Sequence, residues 1–183
     1  EVTEAQRIMQ DEFMSERLIR SHQTLGDLLI EGPPMSPAED YRRSLDLRDG
    51  VVRTEWASGG ARVVRRVFAS APDQVIVVRW EGLGGSEPTL LLTRPELPEG
   101  SVDRAGDRIV MTGRAVNEGH PGVRFACVVE IRREGEGTAT LLVSGATDYQ
   151  GEDPLEVASA RVEAASRLDY GRLEDNHLAD HIP

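Results

Sequence analysis

The sequence predicts a mainly β fold, an antiparallel β-sandwich with a helix in front of it and a helical segment behind. Three observations carry this expectation. Apolar residues recur at alternate positions from Leu25 to about residue 147, and Gly, Pro, Asp and Asn interrupt that rhythm at short intervals. Helix-start chemistry stands only at the two ends, at Thr3 and at Asp153. Alternating β and α units would need helical periods between the strands, and none is present before residue 150.

Taken in order, Thr3 and Gln6 have capping-box spacing, in which hydroxyl and amide each satisfy a free backbone N–H of a first helical turn. A helix to about Arg20 is expected, laid on an apolar surface by Ala5, Ile8, Met9 and Phe13. Leu28 and Ile30, then Tyr41, Leu45 and Leu47, then Val52, Thr54 and Trp56 alternate, as residues sharing one face of a sheet do. Ser58, Gly59 and Gly60 predict a tight hairpin joining roughly 51–57 to 61–69. Val75 to Val78 are continuous β-branched residues, which fits a central strand covered on both sides. Leu90 to Leu92 and Ile109 to Thr112 follow, with breaks at Leu97 to Gly106 and at Asn117 to Gly122. Val123, Phe125, Cys127, Val129 and Ile131 give the cleanest alternation, for about nine strands in all. Asp153, Pro154 and Glu156 then supply an N-cap acceptor, a residue needing no amide partner and a favourable charge at the positive dipole end. Leu155, Ala158, Val162, Ala165 and Leu168 form the expected buried stripe, Gly171 ends this helix, and Leu173 to Ile182 form another.

Composition limits the function classes. The 183 residues carry 32 acidic and 21 basic side chains, a net charge of −11, which argues against an autonomous nucleic-acid binder. All the basic residues are arginines, scattered rather than clustered. No window approaches the roughly eighteen apolar residues of a membrane helix, so no membrane partner is expected. Cys127 is the single cysteine, which excludes an intramolecular disulfide and a cysteine-rich zinc site. The start at Glu1 and a helix running to Pro183 read as a processed or excised piece whose partner domain has been removed. Compartment is left open.

His177 and His181 have the four-residue spacing of a shared metal ion, but Leu178 stands where a metalloprotease has its glutamate base and no third ligand follows. His22 and His120 lie beside turn residues. Cys127 falls on the apolar face of the most regular strand, where a thiolate is disfavoured. Gly82, Gly84 and Gly85 lack the lysine and the following helix of a phosphate loop. Trp56 and Trp80 sit inside strand patterns and read as core rather than as a sugar platform. No catalytic, cofactor-binding or metal-binding residue is assigned, and no cofactor is expected.

Several segments together carry a family resemblance. Thr24 to Leu28, Tyr41 to Leu47 and Val67 to Arg79 resemble the N-terminal domain of glycoside hydrolase family 95, the α-L-fucosidase type. Gly122 to Phe125, Ala146 to Tyr149 with Asp153 and Pro154, and Leu173 with His177 to Asp180 are similar to later landmarks in the same order. The resemblance implies a supersandwich-like, here incomplete, β-domain over residues 1–150 and a helical linker over 151–183 that leads into an (α/α)6 barrel. It implies hydrolysis of α-L-fucosyl linkages with inversion, by a glutamate acid and a water activated by aspartate and asparagine, all in the barrel. The expected partners are therefore that barrel and, through it, fucosylated glycans, with this chain inactive alone. An apolar patch on the helical end is expected where the barrel docks. Three departures accompany the resemblance: the family's first strands would precede Glu1, leaving an unpaired sheet edge; Glu134 to Gly137 replace about one strand with a tight turn; and His181 stands where tyrosine is usual. The alternative is a free-standing carbohydrate-binding or oligomerising β-sandwich without catalysis.

Overall fold

The computed structural model describes residues 2–9, 23–31, 38–58, 60–84, 88–97, 99–115 and 122–182. Among the described residues ten strands form two antiparallel sheets, one of eight strands and one of two, so the mainly β sandwich expected from the period-two rhythm is what the chain adopts. Strands β2 (Glu39–Asp46), β3 (Val51–Ser58), β4 (Ala61–Ser70) and β5 (Val75–Glu81) run as a meander; β7 (Ser101–Ala105), β8 (Arg108–Arg114), β9 (Arg124–Arg133) and β10 (Ala139–Thr147) form a second. The meanders join where β5 pairs with β10, giving the order β2-β3-β4-β5-β10-β9-β8-β7. The remaining strands, β1 (Asp27–Glu31) and β6 (Thr89–Thr93), make a ribbon over one face of the large sheet. Helices α2 (Pro154–Ser166) and α3 (Tyr170–His181) lie on the other face.

Alternation along each strand sends successive side chains into two separate cores. Toward the ribbon go Val63, Met111, Cys127, Val129 and Leu141, met by Leu90 and Leu92 of β6. Toward the helices go Phe68, Val77, Ala126, Val128 and Leu142, met by Ala158, Val162 and Ala165 of α2 and Leu173 of α3. Alanines on both sides of that contact let the α2 backbone approach the sheet closely. Strand β9 is thus covered on both faces, one turned to Cys127 and Val129 and the other to Ala126 and Val128. Strand β5 is central as its β-branched run predicts, although Ile76 near its start remains 46% exposed.

Several boundaries differ from the sequence reading, each for a physical reason. The first helix, α1 (Val2–Ile8), begins before Thr3, which lies inside its first turn, and Ala5, Ile8 and Met9 are exposed; Phe13 and the stretch to Arg20 lie outside the described residues. Leu47 is in a turn after β2. The expected break at Leu97 to Gly106 contains β7, an edge strand whose five residues are all exposed and which therefore shows no apolar alternation. Helix α2 stops at Ser166, and Gly171 lies within the first turn of α3, because Asp169 caps a new helix by accepting from the Arg172 amide at 2.7 Å. Leu155 is exposed, and Pro154 is buried in its place. The start of α2 follows expectation: Asp153 accepts from the Leu155 and Glu156 amides at 2.9 and 3.1 Å.

Candidate functional site

Two regions concentrate polar chemistry: the seam that ties α2 and α3 to the sheet, and a cross-strand row on the ribbon side of β2 to β5. The seam is built around Arg79, which projects from β5 toward the helices. Its Nε donates to Glu81 at 3.1 Å, its Nη1 donates to Glu134 at 2.6 Å and to Thr140 at 3.1 Å, and its guanidinium lies 4.4 Å from the Tyr170 ring centre. Arg66 reaches the other oxygen of Glu81 at 3.0 Å. Arg132 donates to the Ser166 carbonyl at 2.9 Å, to the Leu168 carbonyl, and to Glu134 at 3.1 Å. A cation is thereby placed on the free carbonyls at the C-terminal end of α2, where the helix dipole is negative.

The carboxylates in this seam are held ionised. Burial alone would raise Glu134 and Glu81, but hydrogen bonds from Arg79 and Thr140 to the first, and from Arg66 and Arg79 to the second, outweigh it and lower both. The Tyr170 hydroxyl, which donates to Glu174 at 2.7 Å, is raised by burial and then by that carboxylate. The arrangement supplies rigid attachment: every carboxylate named here already faces a guanidinium or a hydroxyl.

The histidine pair of the sequence is part of the same attachment. His177 is buried, stacks on Phe68 with ring centres 4.7 Å apart, and donates its Nε2–H to the Asp49 carbonyl at 2.7 Å. His181 stacks on His177 at 5.4 Å with only 19° between the planes, so the rings lie face on face rather than aiming nitrogens at one point. Among the described residues no cluster of three or more His, Cys, Asp or Glu could hold a metal ion. His22 and His120 lie outside the described residues. A β-carbon at Gly50, which has φ +66°, would come within 2.9 Å of His181 Nε2, so the β2–β3 turn is shaped to receive this helix end.

The other sequence candidates fall in the interior. Cys127 is buried in the ribbon-side core, and burial pushes its thiol up to about 11. Trp80 is buried in the same core and Trp56 packs against it, so neither offers a sugar platform. Gly82 and Gly84, both with positive φ, belong to the connection after β5, where Leu83 N–H donates to the Gly137 carbonyl at 3.0 Å; Gly85 lies outside the described residues.

A cross-strand row on the ribbon side of β2 to β5 is not legible in the sequence because it depends on register. That face is buried through Thr54, Val63, Val78 and Trp80, and only at its margins are Leu45 and Ile76 55% and 46% exposed. Leu45 pairs with Val52, and Val52 with Val67, forming an apolar row across β2, β3 and β4. The neighbouring row is Arg43, Thr54, Arg65 and Trp80. Thr54 is 1% exposed, yet its Oγ1 makes no hydrogen bond, and neither does the buried Nε of Arg65. The apolar stripes of α2 and α3, by contrast, are turned onto the chain's own sheet, leaving Leu155 and Ile182 as the exposed large apolar residues of that end.

The family model described as glycosyl hydrolase family 65, N-terminal domain, matches residues 1–162. Among curated proteins the chain is similar to Alpha-L-fucosidase 2 of Arabidopsis thaliana, 24% identical over 208 residues covering 87% of this chain and 25% of the relative. It is also similar to Probable alpha-fucosidase A of Aspergillus niger, 24% identical over 193 residues covering 88% of this chain and 24% of the relative. The chain therefore spans about a quarter of the length of the curated relatives it matches.

Proposed function

We propose, on the premise that this chain belongs to the glycosyl hydrolase family 65 N-terminal domain family, that it is the accessory β-domain of a larger α-L-fucosidase-type glycosidase of family 95. The observation that carries the reading is the pattern of coverage: two relatives named as fucosidases align along nearly all of this chain, and it accounts for only a quarter of each. In this reading residues 1–150 are the sandwich unit and 151–183 the helical linker. The catalytic partner is an (α/α)6 barrel outside these residues, which takes fucosylated glycans and hydrolyses them with inversion.

The seam described above supports a linker that transmits position rather than chemistry. An inverting glycosidase needs two carboxyl groups about 6.5–9.5 Å apart with water between them, one of them kept protonated as the acid. Glu81 and Glu134 are lowered, not raised, and are bound to Arg66 and Arg79. Their work is to fix α2 and α3 on the sheet, which sets the direction in which the chain leaves the domain.

The test is an assay of the complete gene product carrying these residues, beside the 183-residue chain alone, on p-nitrophenyl α-L-fucoside and on fucosyl oligosaccharides, with the anomer of released fucose read by proton NMR. Hydrolysis by the complete product giving β-L-fucose first, with none by the chain alone, is the expected result. Turnover by the isolated chain, or a complete product that leaves fucosides intact, would overturn the reading.

A further inference from the structure

We propose that the end of the sandwich at which α3 finishes is the surface on which the partner domain of the parent glycosidase docks, with Leu47 and Tyr149 as apolar anchors. The proposal rests on the accessory-domain reading above and adds to it the place and the chemistry of the contact.

Strand direction gathers distant residues at this end. Strands β2, β4, β8 and β10 run toward it, and β3, β5, β7 and β9 run away from it. The β2–β3 turn, the β4–β5 turn and the turn Asp148–Gln150 after β10 therefore lie together there. Helix α2 starts at the same end from its Asp153 cap, and α3 returns to it, since His177 reaches the Asp49 carbonyl and His181 lies against Gly50. Leu47, Ile76, Val123, Tyr149, Leu155 and Ile182 are all exposed there. Tyr149 at 84% and Leu47 at 82% are the most exposed large apolar side chains among the described residues. Exposed apolar residues scattered singly are ordinary, but these converge on one end from separate stretches of the chain.

The dimensions and the course of the chain select the occupant. Leu47 follows β2 and Tyr149 follows β10, four strand spacings apart in the sheet, or roughly 19 Å at about 4.8 Å each. A sugar ring does not span that distance, whereas a protein interface of ordinary size does. Ile182, where the described chain leaves α3, belongs to the patch itself, and the relatives that the chain matches are only about a quarter covered by it. In the accessory-domain reading the next domain is therefore tethered at this surface, where a short linker gives an effective concentration on the order of millimolar. A second copy in dilute solution has no such advantage.

Hydroxyl-radical footprinting of the complete gene product, read by peptide mass spectrometry, tests this with Tyr41 as the internal control. Tyr41 is 59% exposed and stands near the opposite end of β2, so an undocked domain labels Tyr149 at least as fast as Tyr41. In the complete gene product Tyr149 is expected to label several-fold more slowly than Tyr41. Leu47→Asp in that product is expected to raise Tyr149 labelling several-fold, because the docked partner is what the two residues share. Leu91→Asp, an exposed position on the β1–β6 ribbon, is expected to leave it unchanged. A complete product that hydrolyses fucosides but labels Tyr149 as fast as Tyr41 overturns the docking surface and leaves the accessory-domain reading standing. A gene product with no further domain overturns both, whether Tyr149 labels fast in a monomer or is shielded by a second copy.

Discussion

Leu173→Ala separates the attachment of the last helix from the stability of the sheet. Leu173 is fully buried in the helix-side core, where Tyr170 of the same helix is only partly buried. The other attachments are polar or aromatic: His177 to the Asp49 carbonyl at 2.7 Å, Asn176 to Asp73 at 3.0 Å, and the Arg79 guanidinium over Tyr170. A twelve-residue helix containing Gly171 does not persist in water unaided, so its docking energy keeps it helical. That energy comes to roughly 2–3 kcal/mol for the leucine and about 1 kcal/mol for each hydrogen bond. Truncation to alanine removes about 2–5 kcal/mol, including the cavity it leaves, which is comparable to the whole. The expected result in hydrogen–deuterium exchange with mass readout is loss of protection over residues 174–181, with β9 and β10 still protected. A variant whose α3 amides stay protected while the whole domain melts about 5–10 °C lower would refute the reasoning, because helix and sheet would then be one cooperative unit.

Further outcomes follow from the same geometry. Asp153→Ala removes the acceptor for two amides at the start of α2 and is expected to cost about 1 kcal/mol in urea denaturation, with Asp153→Asn largely retaining the cap. Cys127 is expected to stay unreactive to a disulfide reagent at pH 8 until the protein is unfolded; its thiol is raised from 9.0 to about 11, so its contribution is intact below pH 9 and is lost as pH climbs from there to about 11. Glu81 and Glu134 are lowered from 4.5, so the stability they confer is complete above that pH and is lost as pH falls through their folded-state values; Glu134→Gln is expected to flatten that acid limb in thermal melts. Zinc is expected to leave the melting temperature unchanged, since the stacked rings of His177 and His181 do not converge; a clear upward shift would contradict that geometry.

The strands were legible because one face of each is apolar and a two-residue period has few other causes. Strand β7 was not, because both of its faces are wet and Val102 is the single large apolar residue in Ser101 to Ala105. The end of α2 was misplaced because nothing local sets it: Arg132, thirty-four residues earlier, holds the Ser166 carbonyl, and Asp169 starts the next helix before Gly171 can end the last. The histidine spacing was legible but its meaning was not, since Phe68 and the Asp49 carbonyl, which claim His177, lie more than a hundred residues away in sequence. The Arg43, Thr54 and Arg65 row depends on register across three strands, including a bulge between Glu39 and Arg42 where Asp40 adopts φ +52°. A single insertion at that bulge decides which of Arg42 and Arg43 faces the ribbon side.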